Sequence, residues 1–203
     1  MCVQFLITSN LKALVRGHGA VWDEDFDWKE HVFPRYIAPI MVRAGGIRRI
    51  KPMAFGLIPF FEKEEKPKKV FHNARAETVA EKPSFRKSFT HSRCIVPIES
   101  FFEFVPGAAG KKRIAKFSPA DGSLLTAAGI WTVWAAPSGS KITCFSILTT
   151  EPPPQIEQAG HDRCPLFLRE DAIDNWLEPE EHRADALLGI MHSGAADIDW
   201  RMD

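Results

Sequence analysis

Apolar positions along this chain fall mostly in short runs or alternate with polar ones, the patterns of strands that bury two faces or one. Val3 to Ile7 reads as a short strand that ties the amino terminus into the body of the protein. Ser9 to Leu14 starts a helix that Gly17-His18-Gly19 breaks. From Val21 to His31, acidic residues mix with Trp22, Phe26 and Trp28 without clear period, which predicts a loop or an irregular helix. Pro34-Arg35-Tyr36-Ile37-Ala38-Pro39 is predicted extended, because a residue that precedes proline is pushed out of the helical region. Ile47 to Phe55 is a strand, after which Gly56-Leu57-Ile58-Pro59-Phe60-Phe61 turns sharply. Ser84 or a neighbour caps a short helix in which Phe85 and Phe89 share a face. Arg113 to Phe117, Leu124 to Trp134 and Ile142 to Leu148 are three strands joined by turns without helices, an arrangement that implies antiparallel pairing. Glu170 to Leu177 and Pro179 to Ile190 are amphipathic helices with Asp171, Glu180 and Glu181 early in their spans, where the helix dipole favours acids. His192 to Asp203 reads as a polar, loose tail. Together these elements predict an α+β fold. It is one domain over residues 1–203, of coiled, mostly antiparallel and barrel-like β-sheets with short peripheral helices.

Composition narrows the picture only modestly. The 26 basic and 26 acidic residues cancel, so an anionic partner must be met by a local patch rather than a general field. No apolar run approaches the ~20 residues of a membrane span, and residues 1–10 lack the features of a secretory signal. The expectation is a cytoplasmic protein without membrane association. Cys2, Cys94, Cys144 and Cys164 are far apart, with no metal-ligand spacing, so a zinc site is not expected, and the reading of the whole chain calls for no metal or organic cofactor. Cys94 and Cys144, each inside an apolar run, read as small buried hydrophobes.

Candidate chemistry begins at Met1-Cys2. Removal of Met1 would leave an amine and a thiol on adjacent carbons, a 1,2-aminothiol that condenses with an aldehyde to a Schiff base and then closes to a thiazolidine. Glu103 sits among apolar neighbours from Phe101 to Val105. By alternation it shares a face with Phe101 and Val105, so it either faces solvent on a half-buried strand or lines a pocket that raises its pKa. His161 lies in a loop, flanked by Gly160 and Asp162. Phe60 and Phe61 beside Pro59 cannot both face one core on a regular strand, and an exposed ring there suits stacking on unpaired bases.

Five stretches recur in order as a set: Met1-Cys2, Asn73-Ala74-Arg75-Ala76-Glu77-Thr78, Arg93 to Pro97 with Phe102-Glu103-Phe104, Ala128-Gly129-Ile130-Trp131, and His161-Asp162-Arg163-Cys164-Pro165. Over residues 2 to about 177 this sequence resembles the SOS-response-associated peptidase (SRAP) family of abasic-site shielding proteins. The resemblance implies binding of single-stranded DNA that carries an abasic site, and a covalent thiazolidine crosslink to the exposed aldehyde through Cys2. It implies that Cys2, Asn73, Glu103 and His161 form the catalytic set, with Asn73 positioning the reacting terminus and sugar and with Glu103 and His161 moving protons. It implies DNA contacts from Arg75, Thr150, Pro39 and the wedge Phe60-Phe61. Members commonly begin Cys-Gly-Arg. Here Val3-Gln4 follow Cys2, so one phosphate-binding arginine is missing, and Phe55 and Phe104 stand where tryptophans are usual.

Two other functions compete. One is a thiol peptidase in which His161 activates Cys2, most simply to cleave after its own Met1. The other is a single-stranded DNA binding module whose affinity is indifferent to Cys2. A lyase acting through the Cys2 amine is a variant of the crosslinking reading in which the strand is cut rather than capped. No obligate protein partner is evident in the sequence.

Overall fold

Aromatic side chains from distant parts of the chain meet at the centre and decide how the strands assemble. The computed structural model describes residues 2, 4–8, 10–22, 24–178 and 183–203, without the side chains of Ala13, Leu14 and Ala109. In chain order the elements are β1 (Phe5–Leu6), α1 (Leu11–Gly17), β2 (Ala20–Trp22), β3 (His31–Val32), β4 (Ile37–Ala44), β5 (Ile47–Phe55) and β6 (Asn73–Arg75). There follow α2 (Arg86–His91), β7 (Arg93–Ile98), β8 (Ser100–Pro106), β9 (Lys112–Pro119), β10 (Leu125–Ala135) and β11 (Lys141–Thr150). The last are α3 (Pro154–Gln158), β12 (Cys164–Pro165), α4 (Glu170–Leu177), α5 (Ala184–Ser193) and β13 (Trp200–Met202).

One eight-stranded sheet runs β12-β11-β10-β7-β4-β5-β2, with β6 added on β11. The parallel pairing of β11 with β5 closes five of these strands into a barrel. β7 is buried at every position, as a strand covered on both sides must be. Its Arg93 donates to backbone oxygens, of Trp176 at 2.8 Å, of Phe89 at 3.1 Å and of Glu178, and so pins α2 and α4 to the barrel. A second, five-stranded sheet runs β13-β9-β8-β1-β3. Phe5 of β1 meets Phe55 edge-on at 5.1 Å, and Phe55 stacks on Phe145 at 5.2 Å. Each such pair contributes about 0.5–1.5 kcal/mol beyond its buried area, and together they lock the strand after Cys2 against the barrel.

The α+β, barrel-like class agrees with this architecture, and Ile47–Phe55 and Glu170–Leu177 have the expected bounds. Other expectations need correction. The first strand is only Phe5–Leu6, Val3 lying outside the described residues. The stretch from Val21 to His31 contributes β2 and β3, which gain partners in β5 and β1 that no local pattern announces. Pro34 and Arg35 form a tight turn rather than extended chain, closed by Tyr36 N–H donating to Phe33 C=O, with Arg35 at φ 70°. Ser84 does not cap α2, which begins after Phe85 without a side-chain cap; Phe85 and Phe89 are both buried. β9 does not pair with β10. It joins β8 in the second sheet, while β10 pairs with β7 and β11. The helix expected from Pro179 runs Ala184–Ser193, positions 179–182 with Glu180 and Glu181 lying outside the described residues. The tail is not loose: β13 pairs with β9, and Trp200 meets Phe101 edge-on at 5.5 Å.

Candidate active site

β1 delivers Cys2 to the core, where it is 1% exposed, while Met1 lies outside the described residues. The side-chain amide of Asn73, on β6, donates from Nδ2 to the Cys2 carbonyl at 2.8 Å. Asn73 reaches this position because β6 pairs in parallel with β11, Asn73 opposite Ile147 and Arg75 opposite Thr149. Asn73 Oδ1 is buried and has no hydrogen-bond partner among the described residues.

Glu103 resolves the ambiguity of its strand. Phe101, Glu103 and Val105 of β8 all point inward, and Glu103 is 3% exposed. Its Oε2 lies 3.0 Å from His161 Nε2. Burial raises the Glu103 carboxyl above the ordinary carboxylate range, and His161 offsets part of that rise. The other imidazole nitrogen, Nδ1, lies 2.8 Å from the carbonyl of Arg163, which orients the ring. Arg163 is clamped in turn, donating to both carboxylate oxygens of Glu77 at 2.8 and 3.0 Å and to the Thr149 carbonyl. Burial pushes the Cys2 thiol well above its usual value, and the nearby Glu103 charge pushes it further. Burial and the Glu103 charge thus both favour the thiol form of Cys2.

Glu103 and His161 floor a cavity of about 440 Å³ with Phe104, Pro106, Lys111 and Lys112 on its walls. Gly160, His161 and Asp162 also line a second opening of about 510 Å³ that includes Glu151 and Pro152. Gly160 has φ +90°, and a Cβ there would come within 2.5 Å of Pro106 Cδ, so only glycine lets the His161 loop lie this close to the end of β8.

The remaining expected residues are dispersed. Arg75 is exposed beside this region. Phe60 and Phe61 are 69% and 38% exposed, so both rings of the pair face outward, with Lys69 Nζ 5.4 Å from the centre of the Phe61 ring. The buried Glu62 carboxylate accepts from the backbone N–H groups of Lys63, Glu64 and Lys69, closing the base of that loop. Thr150 is half-buried and lines a separate cavity of about 260 Å³ against Met191 and His192 of α5. Pro39 is buried in β4 opposite Pro52. The Arg163–Glu77 clamp was missed by sequence reasoning, although both residues lie inside the quoted motifs. Their pairing across 86 positions has no local signal. Among the described residues, no group of three His, Cys, Asp or Glu side chains is placed to hold a metal ion, and no helix is long and apolar enough to cross a membrane.

The site thus combines a buried cysteine at position 2, hydrogen-bonded by an asparagine of the first sheet, with a buried carboxylate–imidazole pair whose acid lies on β8 of the second. A model of the family described as SOS response associated peptidase (SRAP) matches residues 1–202, and the chain belongs to that family. It is 34% identical over 157 residues to the Abasic site processing protein YoqW of Bacillus subtilis strain 168, covering 77% of this chain and 70% of YoqW. It is 29% identical over 175 residues to the Abasic site processing protein HMCES of Rattus norvegicus, covering 71% of this chain and about half (49%) of that protein. A crystal structure of a protein from Bacteroides thetaiotaomicron has a TM-score of 0.80 at 27% identity, covering 94% of this chain and 86% of that one. A Bordetella bronchiseptica protein, also at TM-score 0.80 and 22% identical, shares the fold over 99% of this chain and 98% of its own.

Proposed function

We propose that this protein processes abasic sites in single-stranded DNA, trapping the ring-opened sugar aldehyde as a thiazolidine on Cys2 once Met1 has been removed. The reading rests above all on the Asn73 hydrogen bond to the Cys2 carbonyl at 2.8 Å, which holds residue 2 beside the Glu103–His161 pair. Related proteins named for abasic site processing support it.

The chemistry follows from those contacts. The closed sugar must open, which requires a proton on the ring oxygen. The Glu103–His161 pair, with Oε2 3.0 Å from Nε2, is assigned the role of proton donor. The Cys2 amine then adds to C1′ of the aldehyde, and Asn73 Oδ1, buried without a partner among the described residues, is the acceptor that orients the amine or a sugar hydroxyl. Loss of one water, again with a proton from the pair, gives the Schiff base. The Cys2 sulfur adds to the same carbon and its proton leaves, so the sum is aldehyde plus aminothiol giving thiazolidine plus water. Arg75 and the exposed Phe60 and Phe61 are assigned to phosphate and base contacts on the surrounding strand.

Intact mass spectrometry tests the proposal, with purified protein, the Cys2→Ala variant, a short single strand bearing one abasic site, and an undamaged strand. The expected result is a starting mass without Met1, then a Cys2-dependent gain of the whole strand minus water that survives denaturation without reductant. A strand returned cut would replace trapping by lyase chemistry. Reversible binding indifferent to Cys2 would leave a binding module.

A further inference from the structure

The outward face of the five-stranded sheet carries a row of aromatic rings that the chemistry above does not use. The pairing registers put Lys112, Ile114 and Lys116 of β9 on the same face as Phe102 and Phe104 of β8, opposite to the buried Glu103 and Ala115. His31 of β3 lies in that row, stacked between two rings, with centroids 4.8 Å from Phe102 and 4.4 Å from Phe33. Phe33 meets Tyr36 edge-on at 5.8 Å. His31 Nε2 is 3.1 Å from the side-chain oxygen of Gln4, two residues from Cys2.

Three features separate this row from ordinary packing. Three of its rings are open to water, Phe104 at 49%, Phe33 at 39% and Tyr36 at 37%, beside Ile114 at 51%, with Phe102 and His31 half-buried between them. It is continuous with the reaction cavity, because Phe104 is itself a wall of the space above Glu103 and His161. It is also flanked by cations. Lys111 and Lys112 line that cavity, Lys116 stands opposite Phe102, and Lys29 Nζ lies 5.2 Å from the centre of the Tyr36 ring. At its far end the row reaches a second cavity of about 350 Å³ between Trp28, Tyr36 and Ile37, where Asp27 is the acidic member. Flat rings in series with lysines along one side match the alternating bases and phosphates of an unpaired strand.

We propose that this face is the track for the single-stranded DNA leaving the lesion on one side, with bases stacking on the exposed Phe33 and Tyr36 and phosphates meeting Lys112 and Lys116. The proposal rests on the abasic-site reading of the Cys2 cavity and adds a surface which that reading does not require. β8, β1 and β3 are neighbouring strands ~5 Å apart, so the track from Phe102 to Phe33 covers about 10 Å and serves the nucleotides immediately flanking the lesion.

The test uses single strands carrying a tetrahydrofuran abasic analogue, which has no aldehyde and so reports binding alone. The strands end at the lesion or extend by six nucleotides on either side, with 2-aminopurine two to four nucleotides away. One stacked base corresponds to roughly 5- to 150-fold in Kd. Phe33→Ala is expected to raise Kd at least fivefold, and to relieve 2-aminopurine quenching, only for strands extended on one side. Phe33→Trp should restore both. The proposal is overturned if Kd does not change, if the loss is the same for strands that end at the lesion, or if Phe33→Ala changes only the oligomeric state. Tyr36→Ala, at a separate exposed ring, repeats the measurement should Phe33→Ala prove unstable. Failure of the wild type to crosslink, with Phe33-dependent binding intact, would sink the Cys2 reading and leave the track standing.

Discussion

Replacing Glu103 by glutamine separates the carboxylate's chemical work from its place in the packing. The substitution is nearly isosteric and leaves a hydrogen-bonding group 3.0 Å from His161 Nε2, but it removes the exchangeable proton and the charge. A positioned general acid is worth about 10²- to 10⁴-fold in rate, or about 3–5 kcal/mol of barrier, and Glu103→Gln should slow crosslinking by that range at saturating DNA. The thiol should move the other way. The Glu103 charge helps hold the Cys2 thiol up, so its removal lets that value fall while burial still keeps it high, and alkylation of Cys2 by iodoacetamide at pH 8 should quicken. Stability adds a third readout. The folded-state carboxyl is raised, so its contribution is fully present below the ordinary carboxylate pKa and is lost as pH rises through the raised value. The Tm of Glu103→Gln minus that of wild type should therefore become more positive between pH 4 and pH 7. Single-turnover gel assays, alkylation kinetics and thermal melts measure the three. A crosslinking rate within threefold of wild type would refute the proton-transfer role, whatever the other two show.

Other perturbations test the supports around that centre. Asn73→Ala removes the 2.8 Å bond to the Cys2 carbonyl, which should cost ~1 kcal/mol of stability by chemical denaturation and at least tenfold in crosslinking rate at saturating DNA. Gly160→Ala places a Cβ against Pro106 at a φ that disfavours side chains, so it should displace the His161 loop, lowering the crosslinking rate and the Tm together. The Glu77 carboxyl feels burial that raises it, but the hydrogen bonds from Arg163 outweigh this and hold it below its ordinary value. Its stabilisation is present above the ordinary carboxylate pKa and is lost as pH falls through the lowered value. Arg163→Lys, which cannot keep the two-pronged contact, should thus lose most stability near neutral pH and converge on wild type in acid, as followed by melts from pH 7 to pH 3.

The chain by itself determined the chemical identities at the centre and much of the local structure. A thiol next to the initiator methionine, a carboxylate inside an apolar run and a histidine after a glycine can be recognised by residue type. Period-two alternation also put Glu103 on one face with Phe101 and Val105, as found. What alternation could not decide is which face is covered, because that depends on strands tens to more than a hundred residues away. Assembly of the two sheets makes Glu103, on the inner face of β8, a buried acid rather than a solvated one, and the pairing of β6 with β11 brings Asn73 to a carbonyl 71 positions earlier. The same long-range pairing sent β9 to the second sheet, anchored a tail that looked merely polar, and buried Pro39. The Arg163–Glu77 clamp and the ring row from β3 and β8 likewise exist only once distant strands meet. Residue chemistry is local and survives in the sequence. Burial, and with it every shifted pKa at this site, is a property of the assembled sheets.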